Sequence, residues 1–314
     1  MFPPPGDQVS EQSHKSTVHT SEYRTLSAIK NGDIRVLPKP LKIMSICAYY
    51  NKLFAVCNTK KVPGNVLKAV KEICLHIFDL TSGFLEKIIP LWDLADVNFV
   101  DMCMTKIAHW ECLALGYVPT GHSEHWFVRF MNFEGGPYFT FALEISSVGS
   151  FCSFEHKLLC YHSECQNIVV YDTSKWPVES NERYFDIGLD KSITVLNVVS
   201  CLGKEPNQRL VILDYSHEEG RGILCLDLYG DKLWEINDVM RYPCGDNKGH
   251  VFLLDHTFQT VFVRNNKLST DILLKIPAGI EKYVWSDTMN KMVVLHHNEQ
   301  RDSLAVSCYD IVEK

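Results

Sequence analysis

Residues 194–230 read TVLNVVSCLGKEPNQRLVILDYSHEEGRGILCLDLYG, with three short apolar runs at 194–199, 210–213 and 223–226. Polar segments that contain Gly, Asn, Asp and Ser separate these runs. Short runs rich in Val, Ile and Leu and bounded by turn residues are typical of β-strands. The stretch therefore predicts three consecutive antiparallel strands.

The same three-strand unit recurs along the chain at intervals of 41 to 59 residues. The second strand of each unit begins with a polar residue and lies at 52–56, 111–115, 157–161, 209–213, 250–254 and 291–295. An apolar segment precedes each of these strands, at 42–48, 99–104, 149–154, 194–199, 241–244 and 281–285. A third strand follows most of them, at 74–78, 126–130, 168–171, 223–226, 261–263 and 305–309. Six repeats of this length are typical of the blades of a β-propeller.

The two ends of the chain predict how this ring closes. The last repeat ends without a fourth strand, and the strand-like segment 33–37 precedes the first repeat. An unpaired sheet edge is a liability, so we expect 33–37 to be the outer strand of the last blade. The prediction is an all-β fold: residues 23–314 form a single six-bladed β-propeller of mostly four-stranded antiparallel blades, closed by an N-terminal strand. Residues 1–22, rich in Pro, Ser and Thr, predict a disordered tail, and the best helix candidate is 66–73.

Charge and composition narrow the classes of function. The 31 basic and 38 acidic residues give a net charge of -7, which argues against a protein dominated by nucleic-acid phosphate contacts. The chain starts without a secretory signal pattern, and no run reaches the roughly 18 apolar residues of a membrane span. The 12 cysteines sit mostly singly in apolar runs, where a reduced thiol behaves as a small hydrophobe. We therefore expect a soluble, cytoplasmic protein without a membrane partner.

Several segments resemble a known repeat family. Residues 249–255, GHVFLLD, resemble the core of an NHL repeat, and 210–214 with 222–230 are similar to its next strand and turn. Residues 291–297 and 303–310 resemble the last blade of the propellers that end many tripartite-motif (TRIM) proteins. The resemblance implies a protein-recognition module whose partner is a substrate or regulator in a ubiquitin-linked pathway.

The NHL-like pattern is incomplete, and a second propeller subtype competes with it. The Asn that usually follows the turn Asp is absent after Asp255, and the sequence has no RING, B-box or coiled-coil pattern. It therefore gives no basis for intrinsic ubiquitin-ligase activity. A WD-repeat propeller would close each blade with a Trp-Asp pair, but this sequence has one such pair, Trp92-Asp93, and it does not follow Gly121-His122 or Gly249-His250.

No catalytic, cofactor-binding or metal-binding constellation is predicted. His122 and His125 have a His-x-x-His spacing, but no Cys or carboxylate pair accompanies them at metal-site spacing. Cys160 and Cys165 have no second pair either, which favours a hairpin turn over a metal site.

The competing enzyme hypothesis also comes from a resemblance. Some six-bladed propellers are calcium-dependent lactonases and esterases, whose central ion is held by inward-facing Glu, Asn and Asp. Asp101, Asn197 and Asp246 lie near the innermost strand of their repeats, and calcium does require several oxygen ligands. Scattered polar residues are more often turn formers, so an enzyme is the alternative and a non-enzymatic module is the prediction.

The candidate partner-binding residues are Lys60, Lys61, Lys68, Lys71, His122 and His125. The four lysines form a basic loop that suits RNA or an acidic partner, and some NHL propellers bind single-stranded RNA. The negative net charge and the lack of an interleaved aromatic platform disfavour RNA. We therefore predict that loops on one face of a rigid ring bind a protein partner, without a cofactor. The identity of the partner, the binding face and the oligomeric state stay open.

Overall fold

The computed structural model describes most of the chain: residues 26–38, 41–61, 70–82, 84–91, 97–121, 126–134, 136–143, 148–162, 165–176, 178–186, 194–203, 208–218, 220–237, 241–254, 260–264, 267–268, 273–274, 280–298 and 303–313. Within these ranges the chain consists of strands and the segments that connect them, and it contains no helix. None of the described segments is therefore a candidate for a helical membrane span.

The described strands form six four-stranded antiparallel sheets. The first strand, β1 (Leu26–Pro38), belongs to sheet 6. Sheet 1 contains β2 (Leu41–Tyr49), β3 (Lys52–Lys61), β4 (Val70–Asp79) and β5 (Leu85–Pro90). Sheet 2 contains β6 (Val97–Ile107), β7 (Trp110–Pro119), β8 (Trp126–Met131) and β9 (Pro137–Leu143). Sheet 3 contains β10 (Val148–Phe154), β11 (Lys157–His162), β12 (Asn167–Asp172) and β13 (Glu179–Asp186).

The remaining sheets repeat this arrangement. Sheet 4 contains β14 (Thr194–Leu202), β15 (Arg209–His217), β16 (Gly220–Leu226) and β17 (Lys232–Asn237). Sheet 5 contains β18 (Arg241–Gly245), β19 (Val251–Leu254), β20 (Thr260–Arg264) and β21 (Lys267–Leu268). Sheet 6 contains β22 (Ile280–Ser286), β23 (Lys291–Asn298), β24 (Ser303–Glu313) and β1. In this last sheet β1 pairs antiparallel with β24, from Leu26 opposite Glu313 to Pro38 opposite Ser303.

The sheets stand around a common centre. The first strand of each sheet contacts the first strand of the next, and β22 contacts β2, so the six innermost strands form a closed cycle. A cluster of buried apolar side chains fills the space between each pair of neighbouring sheets.

The side chains of each second strand point alternately to the two faces of its sheet, which explains these clusters. In β3, Phe54 and Val56 pack between sheets 1 and 2, whereas Leu53, Ala55 and Cys57 pack between sheets 6 and 1. Successive side chains of a strand point to opposite faces. Because both faces of the sheet are covered, the strand is apolar at nearly every position.

The predicted innermost strands all lie inside observed strands, and the third strands are longer than predicted. The helix predicted at 66–73 is wrong for its described part, because residues 70–73 lie in β4. The β3–β4 hairpin pairs ten consecutive residues, from Lys52 opposite Asp79 to Lys61 opposite Val70. An eight-residue helix is too short to compete with that pairing. The predicted tail, residues 1–22, lies outside the described residues.

Candidate functional site

One end of the ring, which we call the turn face, carries the connection after the first strand of each sheet and, in sheets 1 to 5, the connection after the third strand. In a four-stranded antiparallel sheet that follows chain order, the turn after the first strand and the turn after the third strand lie at the same end. Contacts between sheets show that these ends meet. Thr288 Oγ1 donates to the Tyr50 carbonyl at 3.0 Å, the Ala108 N–H donates to the Thr173 carbonyl at 2.7 Å, and the Gly245 backbone approaches the Cys201 side chain.

Exposed aromatic side chains concentrate on the turn face. Tyr50 lies in the β2–β3 turn, Phe84 precedes β5, Trp110 begins β7, Trp176 lies between β12 and β13, and Tyr229 lies between β16 and β17. Phe84 is 73% exposed and Tyr229 is 82% exposed, and the other three are 44% to 54% exposed. Each of the five lies in, or immediately beside, one of the two turns that its sheet contributes to this face.

Tyr50 occupies a strained backbone conformation. Its φ is 50°, and Ala108 and Glu155, which occupy the same place in the β6–β7 and β10–β11 turns, have φ values of 51° and 50°. Two-residue hairpin turns require such positive φ values, which Gly and Asn adopt at the lowest cost. A bulky residue at this φ is uncommon. Because the equivalent residues share the φ, it follows from the repeated two-residue turn, in which Tyr50 carries the largest side chain of the three.

Polar and ring contacts hold the aromatic residues near sheets 1 and 2 in place. The ring of Tyr49 stacks on Phe133, with ring centroids 5.5 Å apart, and meets Tyr50 edge-on at 4.4 Å. A hydrogen bond with Tyr49 lowers the pKa of Glu111, as does the ammonium of Lys106, which lies 3.1 Å from its carboxylate. Exposed aromatic residues with a polar surround are typical of protein interfaces.

The centre of the ring contains a cavity of about 460 Å³, which all six innermost strands line. Each of these strands has a break in its pairing near its N-terminal end. The breaks lie between Ile43 and Ser45, Phe99 and Asp101, Val148 and Phe151, Val195 and Asn197, Arg241 and Cys244, and Ile280 and Lys282. A β-bulge changes the direction in which nearby side chains point. The bulges thereby direct polar side chains of these otherwise apolar strands toward the cavity.

Asp101 accepts three hydrogen bonds beside this cavity. Ser45 Oγ donates to its Oδ1 at 2.7 Å, Ser150 Oγ donates to its Oδ2 at 2.8 Å, and the Met102 N–H donates to Oδ1 at 2.8 Å. Burial raises the pKa of Asp101 above its usual value of 3.8, and the three hydrogen bonds and the nearby charge of Lys282 oppose this rise. The carboxylate connects the innermost strands of sheets 1, 2 and 3.

The raised pKa of Asp101 predicts how stability changes with pH. The folded state binds the Asp101 proton more tightly than the unfolded state does, so ionisation costs stability as the pH rises through the raised pKa. Asp101→Asn cannot ionise there. We expect the Tm of this variant, relative to wild type, to improve as the pH rises from about 3.5 to 7. Thermal melts across this range measure the difference, with Asp231→Asn, at an exposed position, as the control. A difference that stays constant or moves in favour of wild type would contradict the prediction.

The residues of the calcium hypothesis have separate partners. Asp246 lies in the β18–β19 turn, where Oδ1 accepts the N–H groups of Lys248 and His250 and Oδ2 lies 2.6 Å from His250 Nδ1. The side chain of Asn197 lies outside the described residues. Across the described ranges, no three His, Cys, Asp or Glu side chains are grouped as metal ligands. The described contacts of Asp101 and Asp246 therefore do not join them into one ligand set.

The predicted partner-binding residues lie away from the turn face or outside the described residues. Lys60 on β3 is opposite Lys71 on β4, and Lys61 is opposite Val70, at the far end of the β3–β4 hairpin. Lys68, His122 and His125 lie outside the described residues. The aromatic residues of the turn face were not predicted from the sequence. A signal was available, since Phe84 follows Ser82-Gly83 and Tyr229 precedes Gly230, and glycine next to polar residues favours a turn.

Comparisons with known proteins show the fold. No protein-family model and no curated protein matches this sequence. The WD40 repeats of RRP9 superimpose with a TM-score of 0.53 at 13% identity, covering 91% of this chain and 100% of that one. The β-propeller domain of the trilobed protease from Pyrococcus furiosus gives 0.49 at 10% identity, covering 87% and 94%. A mitotic checkpoint complex chain gives 0.48 at 10% identity, covering 88% and 80%. At these identities the likeness extends to architecture alone. The match to the RRP9 WD40 repeats, together with the antiparallel sheets, shows that the chain folds as a β-propeller.

Proposed function

We propose that this chain is a non-enzymatic protein-recognition module that binds a protein partner on its turn face. The observation that carries the proposal is that the exposed Tyr50, Phe84, Trp110, Trp176 and Tyr229 all lie in or beside turns at one end of the ring. Aromatic residues dominate the energetics of protein interfaces because they bury a large area at a low entropic cost.

The rigidity of the turn face supports this proposal. Hydrogen bonds connect neighbouring sheets at this end, including Lys87 Nζ to the Glu134 carbonyl at 2.8 Å and Thr173 Oγ1 to the Lys106 carbonyl at 2.5 Å. Loops fixed in this way lose little conformational entropy on binding, which leaves more of the contact energy for affinity. These bonds hold the turns beside Tyr50, Trp110 and Trp176 against neighbouring sheets.

The test begins with a partner captured by the full chain from its own cells and continues with purified components. We expect Trp110→Ala and Tyr229→Ala each to weaken binding by more than about tenfold, as loss of an aromatic anchor does. Tyr50→Asn should weaken binding with little change in Tm, because Asn tolerates the positive φ. Isothermal titration calorimetry measures the affinities.

Glu218→Ala, exposed in the β15–β16 turn at the opposite end of the ring, is the matched control and should bind as wild type does. Unchanged affinity in all three aromatic variants would refute the turn face as the binding site.

We further propose that the six sheets are the six blades of a closed ring, with β1 as the outer strand of the last blade. The pairing of β1 with β24 supports this closure, since it covers an edge that would otherwise be open. An NHL-type subtype and a ubiquitin-linked partner rest on the sequence resemblance of residues 210–310.

The second candidate function is binding of single-stranded RNA. It is favoured by the placement of Lys60 opposite Lys71, which concentrates positive charge on one hairpin. RNA bound there would lose affinity steeply as salt concentration rises, and would lose it further on substitution of Lys60 and Lys61. Such a result, with the aromatic variants unaffected, would replace protein recognition by RNA binding.

A further inference from the structure

The central cavity contains a lysine whose ammonium group has no hydrogen-bond acceptor among the described residues. Lys282 follows the bulge in β22 and lines the cavity. Its Nζ lies 5.2 Å from the centroid of the Tyr242 ring. Burial lowers the pKa of Lys282, and the charge of Asp101 opposes this fall. Among the described atoms, no oxygen accepts a hydrogen bond from its ammonium group.

Asp101, by contrast, has its acceptor positions occupied by the protein. Three donors, Ser45 Oγ, Ser150 Oγ and the Met102 N–H, reach its two oxygens at 2.7 to 2.8 Å. Ser150 Oγ in turn accepts the Val198 N–H at 3.2 Å. The anion of this pair is therefore held by protein donors, while the three N–H donors of the cation are directed to no described acceptor. A cation in this state gains a hydrogen bond from an acceptor that enters the cavity.

We infer that the central cavity binds a small organic oxyanion, a carboxylate or a phosphate, with Lys282 as its cationic anchor. The volume of about 460 Å³ lies within the usual range for small-molecule sites. Thioether, thiol and aliphatic groups, including Met44, Met104 and Val199, supply apolar lining. A ligand with one oxyanion and a short apolar body matches this surface.

The other carboxylates that line the cavity also interact with groups of the protein. Asp214 is 2% exposed, and its Oδ2 accepts the Tyr242 N–H at 3.2 Å. Burial raises the pKa of Asp287, and the nearby charge of Arg209 opposes this rise. Arg221 also lines the cavity and adds a second positive charge. A cationic ligand would have to compete with protein donors for the carboxylate oxygens of Asp101.

The test measures the Tm of the full chain with sodium hexanoate, hexyl phosphate, hexanol or hexylamine at matched ionic strength. We expect hexanoate, hexyl phosphate or both to raise the Tm saturably, by roughly 5 °C at a hundredfold excess over Kd. Hexanol and hexylamine should not. A rise with only one oxyanion identifies carboxylate or phosphate as the preferred group and supports the site in either case.

Variants assign the effect to Lys282. Lys282→Met should abolish the shift, and Lys282→Arg should retain part of it. Lys291→Met is the control, because Lys291 lies outside the cavity, with its Nζ 3.6 Å from Asp310. The inference is overturned if neither oxyanion shifts wild type, if hexylamine or hexanol shifts it equally, or if the shift survives in Lys282→Met. The probe series in wild type decides the matter even if Lys282→Met does not fold.

Discussion

Deletion of residues 1–38 is expected to lower the Tm by roughly 10 °C or more, or to prevent folding, whereas deletion of residues 1–25 should leave it unchanged. The longer deletion removes β1 and with it the strand that pairs along β24. Leu304 and Val306 of β24 are 7% and 0% exposed in the intact protein. Their strand would become an open edge, which costs pairing and invites association with other chains.

The two truncations form a matched pair, because they differ only by β1. The expected loss is several kcal/mol against a total stability of about 5–15 kcal/mol for a typical domain. Thermal melts and gel filtration of both chains measure stability and association. Equal melting temperatures would show that β1 does not close the ring.

Replacement of Phe252 by Ala is expected to destabilise the fold by about 3–5 kcal/mol. Phe252 on β19 is fully buried and stacks on Trp285 of β22, with ring centroids 6.1 Å apart. Its side chain belongs to the cluster that joins sheets 5 and 6. Loss of the ring leaves a cavity that the neighbouring strands cannot close, so the Tm should fall by about 10 °C.

Phe252→Leu is the control for this variant, since Leu keeps most of the buried volume and should cost less than half as much. Urea unfolding followed by circular dichroism gives the free energy of each variant. If the Ala and Leu variants both lost little free energy of unfolding, the cluster between sheets 5 and 6 would contribute little to the stability of the ring.

The strands were predictable from sequence because burial on both faces leaves a direct signature. Runs such as 210–213 and 292–295 are apolar at successive positions, and turn residues set their limits. The helix predicted at 66–73 was wrong because a local pattern does not contain the partner strand. Lys71 and Glu72 suit a helix, but pairing with Lys60 and Thr59 across the hairpin placed them in β4.

The candidate sites were less predictable for the same reason. Tyr50, Trp110 and Tyr229 are far apart in sequence, and only the repeated geometry of the sheets brings their turns to one face. The sequence singled out Asp101 through a resemblance, but not Ser45 and Ser150, its donors from neighbouring sheets. Contacts between sheets depend on the bulges that change the direction of side chains, and no local pattern marked those bulges.

The cysteines of this protein are distributed so that every junction between neighbouring sheets contains at least one. Those buried in the six clusters are Cys47, Cys57, Cys112, Cys152, Cys160, Cys201, Cys225, Cys244 and Cys308, and Cys165 is exposed. A buried thiol reacts with an alkylating reagent only when its surroundings open. Pulsed alkylation followed by peptide mass spectrometry would therefore report which junction between sheets opens first. The natural cysteines are the probes, so no label needs to be introduced.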